Sequence, residues 1–169
     1  MKQATKEQTT GEHVPAQQRT QGANPYAGRA YGALWDGLVG KDAHNARAAC
    51  FTQAIHEMRR LTVAGGGLAE TVHGASGVGD LHVTAAGGRN RAFGERVGRG
   101  RLAREVAAEM AAAGELTEGY PAIATAWRFA QERQVTDLPL LETLHAIVWE
   151  DAPVAETLSR LRLSTGPSA

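Results

Sequence analysis

Between Gly74 and Gly88 the chain sets five glycines around a single carboxylate, Asp80, and follows them at once with Arg89 and Asn90. Thr84 lies four residues after Asp80. If Asp80 opens a short helix, its carboxylate and the Thr84 hydroxyl share one helix face. Glycine lets a backbone approach a ligand closely, and the Gly87-Gly88 pair gives Arg89 a flexible approach. In such a set Asp80 accepts hydrogen bonds from sugar-like hydroxyls, Thr84 and Asn90 add donors, and the guanidinium fork of Arg89 holds a phosphate. A small polyol phosphate fits that description. Taken in isolation, the same residues have a plainer meaning: Asp80 caps a helix, the glycines turn the chain, and Arg89 and Arg91 stay in water.

Other chemistry has little footing. His13, His44, His56, His73, His82 and His145 are scattered, with no paired metal-ligand spacing and no Cys-His set. No metal site is expected. His82 is the one histidine beside the Asp80 segment, and it serves equally well as a helix surface residue. The single cysteine, Cys50, sits among apolar residues in a helical pattern and reads as a small buried hydrophobe rather than a nucleophile.

The elements around that segment are helical. Phe51, Ile55, Met58 and Leu61 recur at helical spacing from Asn45 onward, and Gly65-Gly66-Gly67 ends the run. Leu102, Val106 and Met110 step by four toward Gly114, a suitable C′ residue. A third helix is expected from about Tyr120 to Gln134. A fourth is expected with Asp137 as its cap and Pro139 in its first turn, and a last one with Asp151 ahead of Pro153. An irregular first helix is expected near Ala30 to Leu38. No alternating strand pattern of any length occurs, so the fold class is all-α, and Gly74 to Gly88 is the long glycine-rich interruption between helices. Residues 1–24 are polar with almost nothing to bury and read as a disordered tail; 25–163 form the domain and 164–169 a frayed end.

Composition bounds the function. With 169 residues, 43% of them hydrophobic and 21% charged, the chain has the makeup of one soluble globular domain. Eighteen basic residues balance eighteen acidic ones, which argues against the broad positive footprint of a nucleic-acid binder, so any anion site is local. No stretch approaches the roughly 20 apolar residues of a membrane span, and the first residues lack the apolar run of a secretory signal. A reducing cytoplasm is the expected setting.

Three separated segments then carry a resemblance. GVGDLHVTAAGGRNRAFGERVGRG resembles the Gly-Leu-Gly-Asp-Leu, threonine, Ser-Arg-Asn-Arg-x-Phe-Gly signature of the C-terminal domain of NAD(P)-dependent glycerol-3-phosphate dehydrogenases. NARAACFTQAIHEM is similar to the helix after that family's Gly-Asp-Asn turn. LTEGYPAIATAWRFAQERQVTDLPLLETLHAIVWE resembles its Val-Glu-Gly segment and closing helices. The likeness runs from about Trp35 to Pro153. It implies a bundle-like helical domain akin to the C-terminal domains of 6-phosphogluconate and glycerol-3-phosphate dehydrogenases. By the same likeness Asp80, Thr84, Gly88, Arg89 and Asn90 would meet glycerol 3-phosphate or dihydroxyacetone phosphate. Arg89, Leu116 and Glu118 would meet NAD or NADP. For Leu116, ordinary packing is an equal alternative.

Departures from the family pattern shape the rest of the expectation. Gly88 stands where the family usually has serine, so a hydroxyl donor is lost. No strand–turn–helix with a Gly-x-Gly-x-x-Gly turn precedes the domain. The family's proton-handling lysine belongs to a Leu-Lys-Asn motif, whereas this chain has only Lys2, Lys6 and Lys41; if ANPYA at 23–27 corresponds to that motif, Ala23 takes the place of the base. No catalytic residue is therefore identified. Two functions are expected to compete: a substrate-binding half completed by a nucleotide-binding domain on a separate chain, and a non-catalytic module that binds phosphate or self-associates; the expected protein partner is that Rossmann-domain chain or a second copy in a homodimer.

Overall fold

The computed structural model describes Trp35, Leu38 and residues 42–163. The tail at 1–24, the ANPYA segment, all three lysines, the end at 164–169 and most of the expected first helix lie outside the described residues; Trp35 and Leu38 are both helical and buried. The described residues are helical and contain no strand. They form α1 (His44–Ala64), a 3-10 segment (Ala69–His73), a π-helical turn (Ala75–Gly79), α2 (Asp80–Ala86), α3 (Arg89–Gly98), α4 (Ala103–Ala112), α5 (Gly119–Glu132), α6 (Pro139–Trp149) and α7 (Val154–Arg160). No helix among them is long and apolar enough to cross a membrane.

The bundle is organised around α6, which packs on α1, α4, α5 and α7. Leu140, Leu141, Leu144, Ile147 and Val148 are all buried on it. Each such side chain contributes about 1.5–3 kcal/mol by leaving water. Phe93 and Val97 from α3, Val106 and Met110 from α4, and Ile123 and Ala126 from α5 complete the core.

Two helix ends form as the glycine spacing predicts. Gly66 has φ +82°, and the Gly67 and Gly66 amides donate to Thr62 and Val63 carbonyls at 2.9 Å each, closing α1 with a Schellman motif. Gly114, at φ +76°, closes α4 in the same way through Glu115 to Met110 at 2.8 Å and its own amide to Ala111 at 3.0 Å.

Two expectations are corrected. Asp137 does not cap α6: its backbone is left-handed at φ +61°, not the extended conformation a cap needs, and its carboxylate pairs with Arg60 of α1. The α6 entry is held instead by Glu57. This carboxylate from the middle of α1 is fully buried and accepts the Leu140 amide at 2.7 Å and the Leu141 amide at 3.0 Å, while Gln53 donates to it at 3.2 Å. Pro139, in the first turn, has no amide to satisfy, so this turn of α6 is provided for. Asp151 likewise does not cap α7. It lies at φ +56° after the end of α6 and pairs with Arg104 of α4. Finally, 74–88, expected as a glycine-rich interruption between helices, is mostly wound into the π turn and into α2, the short helix that Asp80 opens.

The buried face of α1 is also rotated from the apolar stripe. Met58 and Leu61 are inside, but Gln53 and Glu57 join them while Phe51 and Ile55 are only partly covered. In that inner position Glu57 accepts the α6 amides and Gln53 donates to Glu57.

Candidate functional site

The glycine segment builds a wall. Gly77, in the π turn, lies so close to the 3-10 segment that a Cβ there would stand 1.9 Å from the Val72 carbonyl oxygen; only glycine fits. That approach folds the chain back and starts α2 at Asp80. Gly79 is different, because a Cβ on it would meet nothing nearer than 3.8 Å. Along α2 the Thr84 hydroxyl donates to the Asp80 carbonyl at 2.7 Å. Its proton is therefore directed at the backbone, and toward a ligand Thr84 offers an acceptor rather than the donor the sequence suggests.

Gly88 turns the chain from α2 into α3. At φ +101° and ψ −177° it occupies a region that is essentially glycine's own. A serine held at these angles would be strained. α3 then starts at Arg89 with no side-chain cap hydrogen bond, leaving its first-turn amides to a partner from outside the helix. The third side comes from α5. The Asn90 Oδ1 accepts the Gly119 amide at 3.0 Å, tying the start of α3 to the start of α5, just after Leu116 and Glu118.

These elements enclose one cleft of about 270 Å³ lined by Asp80, Thr84, Gly87, Gly88, Arg89, Asn90, Leu116 and Glu118. Every residue proposed from the sequence for substrate or cofactor contact lines it, with Gly87 as an addition. The volume is at or below the small end of ordinary ligand pockets. Its charge is divided. Arg89 and the uncapped start of α3 make one end positive, and Arg89 has no carboxylate partner among the described residues. Asp80 and Glu118 supply carboxylates. Leu116 is 64% exposed, an apolar side chain at the cleft edge.

His82 lies apart from this set. It meets the Phe51 ring edge-on at 6.5 Å and lines a different depression, between α1 and α2, with His44 and Arg47. Among the described residues no three His, Cys, Asp or Glu side chains gather as a metal site. Cys50 is buried, as its helical setting predicts.

The comparison with known proteins decides the family. The sequence profile for the NAD-dependent glycerol-3-phosphate dehydrogenase C-terminus matches residues 29–159. The chain belongs to that family. It is 34% identical over 132 residues to the glycerol-3-phosphate dehydrogenase [NAD(P)+] of Brachyspira hyodysenteriae, covering 77% of this chain and 38% of the relative. The Methylococcus capsulatus protein of the same name is 39% identical over 121 residues, covering 70% and 35%. The crystal structure of glycerol-3-phosphate dehydrogenase from Coxiella burnetii superposes with a TM-score of 0.68 at 32% identity, covering 85% of this chain and 43% of that one. The chain thus spans somewhat more than a third of the length of these curated relatives, and the matched part is the all-helical C-terminal domain.

Proposed function

We propose that the cleft binds glycerol 3-phosphate or dihydroxyacetone phosphate and presents it to an NAD or NADP cofactor held by a nucleotide-binding domain. The observation that carries this reading is the gathering of Asp80, Thr84, Gly88, Arg89, Asn90, Leu116 and Glu118 around one small cleft. The phosphate belongs at the Arg89 end, where a guanidinium and the first-turn amides of α3 both favour an anion. The hydroxyl or carbonyl end belongs toward Asp80 and Thr84, which accept hydrogen bonds. Leu116 and Glu118 are offered to the cofactor, Leu116 as the exposed apolar surface for a flat ring.

Isothermal calorimetry tests the site. The chain is expected to bind glycerol 3-phosphate weakly and Arg89→Ala to abolish the heat; a silent titration of the parent chain would overturn the site assignment. Family membership and turnover are separate questions. Transfer of a hydride to or from a secondary alcohol carbon needs a group to handle the hydroxyl proton, and none of the chain's three lysines, Lys2, Lys6 and Lys41, stands in a Leu-Lys-Asn motif. That observation favours a second reading, in which the domain binds the phosphate ester without turning it over unless another polypeptide segment supplies the base and the cofactor fold.

A further inference from the structure

We propose that Asn90 is a positioning residue of the cleft as well as one of its lining side chains, setting the Leu116–Glu118 wall through the Gly119 amide. For its ligand this rests on the substrate reading above; for its geometry it does not.

α5 begins without a cap of its own. Its N-cap residue, Glu118, has helical angles of φ −62° and ψ −29° and makes no side-chain cap hydrogen bond. A capping residue ordinarily lies in the extended region so that its side chain can turn back on the first amides. Here the acceptor arrives from α3, 29 residues earlier in the chain, as the Asn90 Oδ1 at 3.0 Å from the Gly119 nitrogen. One turn further along the same face of α3, Phe93 meets the Tyr120 ring at 5.7 Å. Consecutive residues of α5 are thus held by one face of α3. Leu116 and Glu118 immediately precede this anchored point, and Arg89 immediately precedes Asn90. The one side chain stands between the positive end of the cleft and its opposite wall.

The polarity of Asn90 follows. With its oxygen engaged by Gly119, Asn90 has donor chemistry in its amide nitrogen, whose two N–H groups match a phosphate or hydroxyl oxygen. A ligand drawing on that nitrogen draws on the side chain that also fixes the entry of α5. Occupancy of the phosphate side is thereby linked to the placement of Leu116 and Glu118.

A built-in reporter exists. The Trp149 indole N–H donates to the Tyr120 carbonyl at 3.3 Å, and the two rings stack at 4.6 Å, so Trp149 senses the first turn of α5. Trp127 stacks on His145 and serves as the internal reference.

The test uses the full chain labelled with fluorotryptophan, together with amide hydrogen exchange and glycerol 3-phosphate calorimetry. Asn90→Ala is expected to speed exchange at Gly119 by about tenfold, the equivalent of one ordinary hydrogen bond. It should also shift the Trp149 fluorine signal while leaving Trp127 in place. Asn90→Asp keeps the acceptor and is expected to restore both, yet to weaken ligand binding because it removes the donor and adds a negative charge. Thr84→Val is expected to weaken binding with Gly119 and Trp149 unmoved. Unchanged exchange at Gly119 in Asn90→Ala, or failure of Asn90→Asp to restore it, would overturn the positioning role. Should Asn90→Ala not fold, Asn90→Ser, too short to reach, is measured in its place. If the parent chain gives no heat with glycerol 3-phosphate, the substrate reading falls and the exchange and fluorine data still decide this one.

Discussion

Gly88 is held at φ +101°, yet nothing lies within 4 Å of where its Cβ would be. Serine there meets no wall, so its penalty is backbone strain alone, about 1–3 kcal/mol. Gly88→Ser is accordingly expected to lower the urea unfolding midpoint without strengthening glycerol 3-phosphate binding. A variant as stable as its parent and a tighter binder would show that the family's hydroxyl can be added back freely. The two glycines of Gly-x-Gly-Asp separate in the same kind of measurement. Gly77→Ala forces a methyl into the Val72 carbonyl and should cost about 1–3 kcal/mol or more. Gly79→Ala has room and a helical backbone, and should be neutral or stabilising by up to about 1 kcal/mol. Sequence spacing gave both glycines one meaning, because the reason for Gly77 is a carbonyl on a neighbouring segment. At the surface, Arg101 holds the Glu109 carboxyl below the usual carboxylate range through a hydrogen bond and charge. A depressed carboxylate stabilises the fold above its unfolded pKa and loses that contribution as pH falls through its folded pKa. Arg101→Ala should therefore move the Glu109 titration, followed by NMR, up toward the ordinary value.

Among the elements, local signals told where helices lie and failed on what holds their ends. Gly66 and Gly114 adopt the left-handed angles expected of them, and α1, α4, α5 and α6 fall close to their apolar patterns. Asp137 and Asp151 have the composition of caps, yet each is left-handed and spends its carboxylate on an arginine of another helix. Aspartate tolerates both conformations, so its type could not choose between them. The acceptor that replaces Asp137, Glu57, sits mid-helix where sequence offers no capping signal. Glu57→Ala leaves two buried amides unsatisfied and should cost about 2–6 kcal/mol, at 1–3 kcal/mol for each orphaned group. Equilibrium urea unfolding checks it, and a loss under 1 kcal/mol would mean that water reaches the α6 entry. Gln134 ends α5 at φ +53° in a Schellman motif, with Val135 donating to Ala130 at 2.9 Å. Gln134→Gly should thus raise stability by about 1 kcal/mol by relieving the left-handed strain.

For the whole molecule, the matched segments named the fold, and Asp80, Thr84, Arg89, Asn90, Leu116 and Glu118, which come from separate elements, line one space. What the sequence left open was polarity within that space: Thr84 turns its proton inward and Asn90 gives its oxygen to α5. The 169 residues by themselves are expected to give no NADH oxidation with dihydroxyacetone phosphate. Substrate-dependent loss of NADH absorbance above a blank would refute the binding-without-turnover reading.

The Glu57 contacts also bear on how the chain folds. They close loops of 83 and 84 residues, so the first turn of the central helix is completed by a partner from the other end of the domain. Nucleating a helix is the unfavourable step, and here part of that step waits on long-range closure, which slows folding relative to purely local bundles. A peptide of residues 134–163 should accordingly show little helix by circular dichroism. The intact domain should lose α1 and α6 in a single cooperative transition, because neither end of that bond persists without the other.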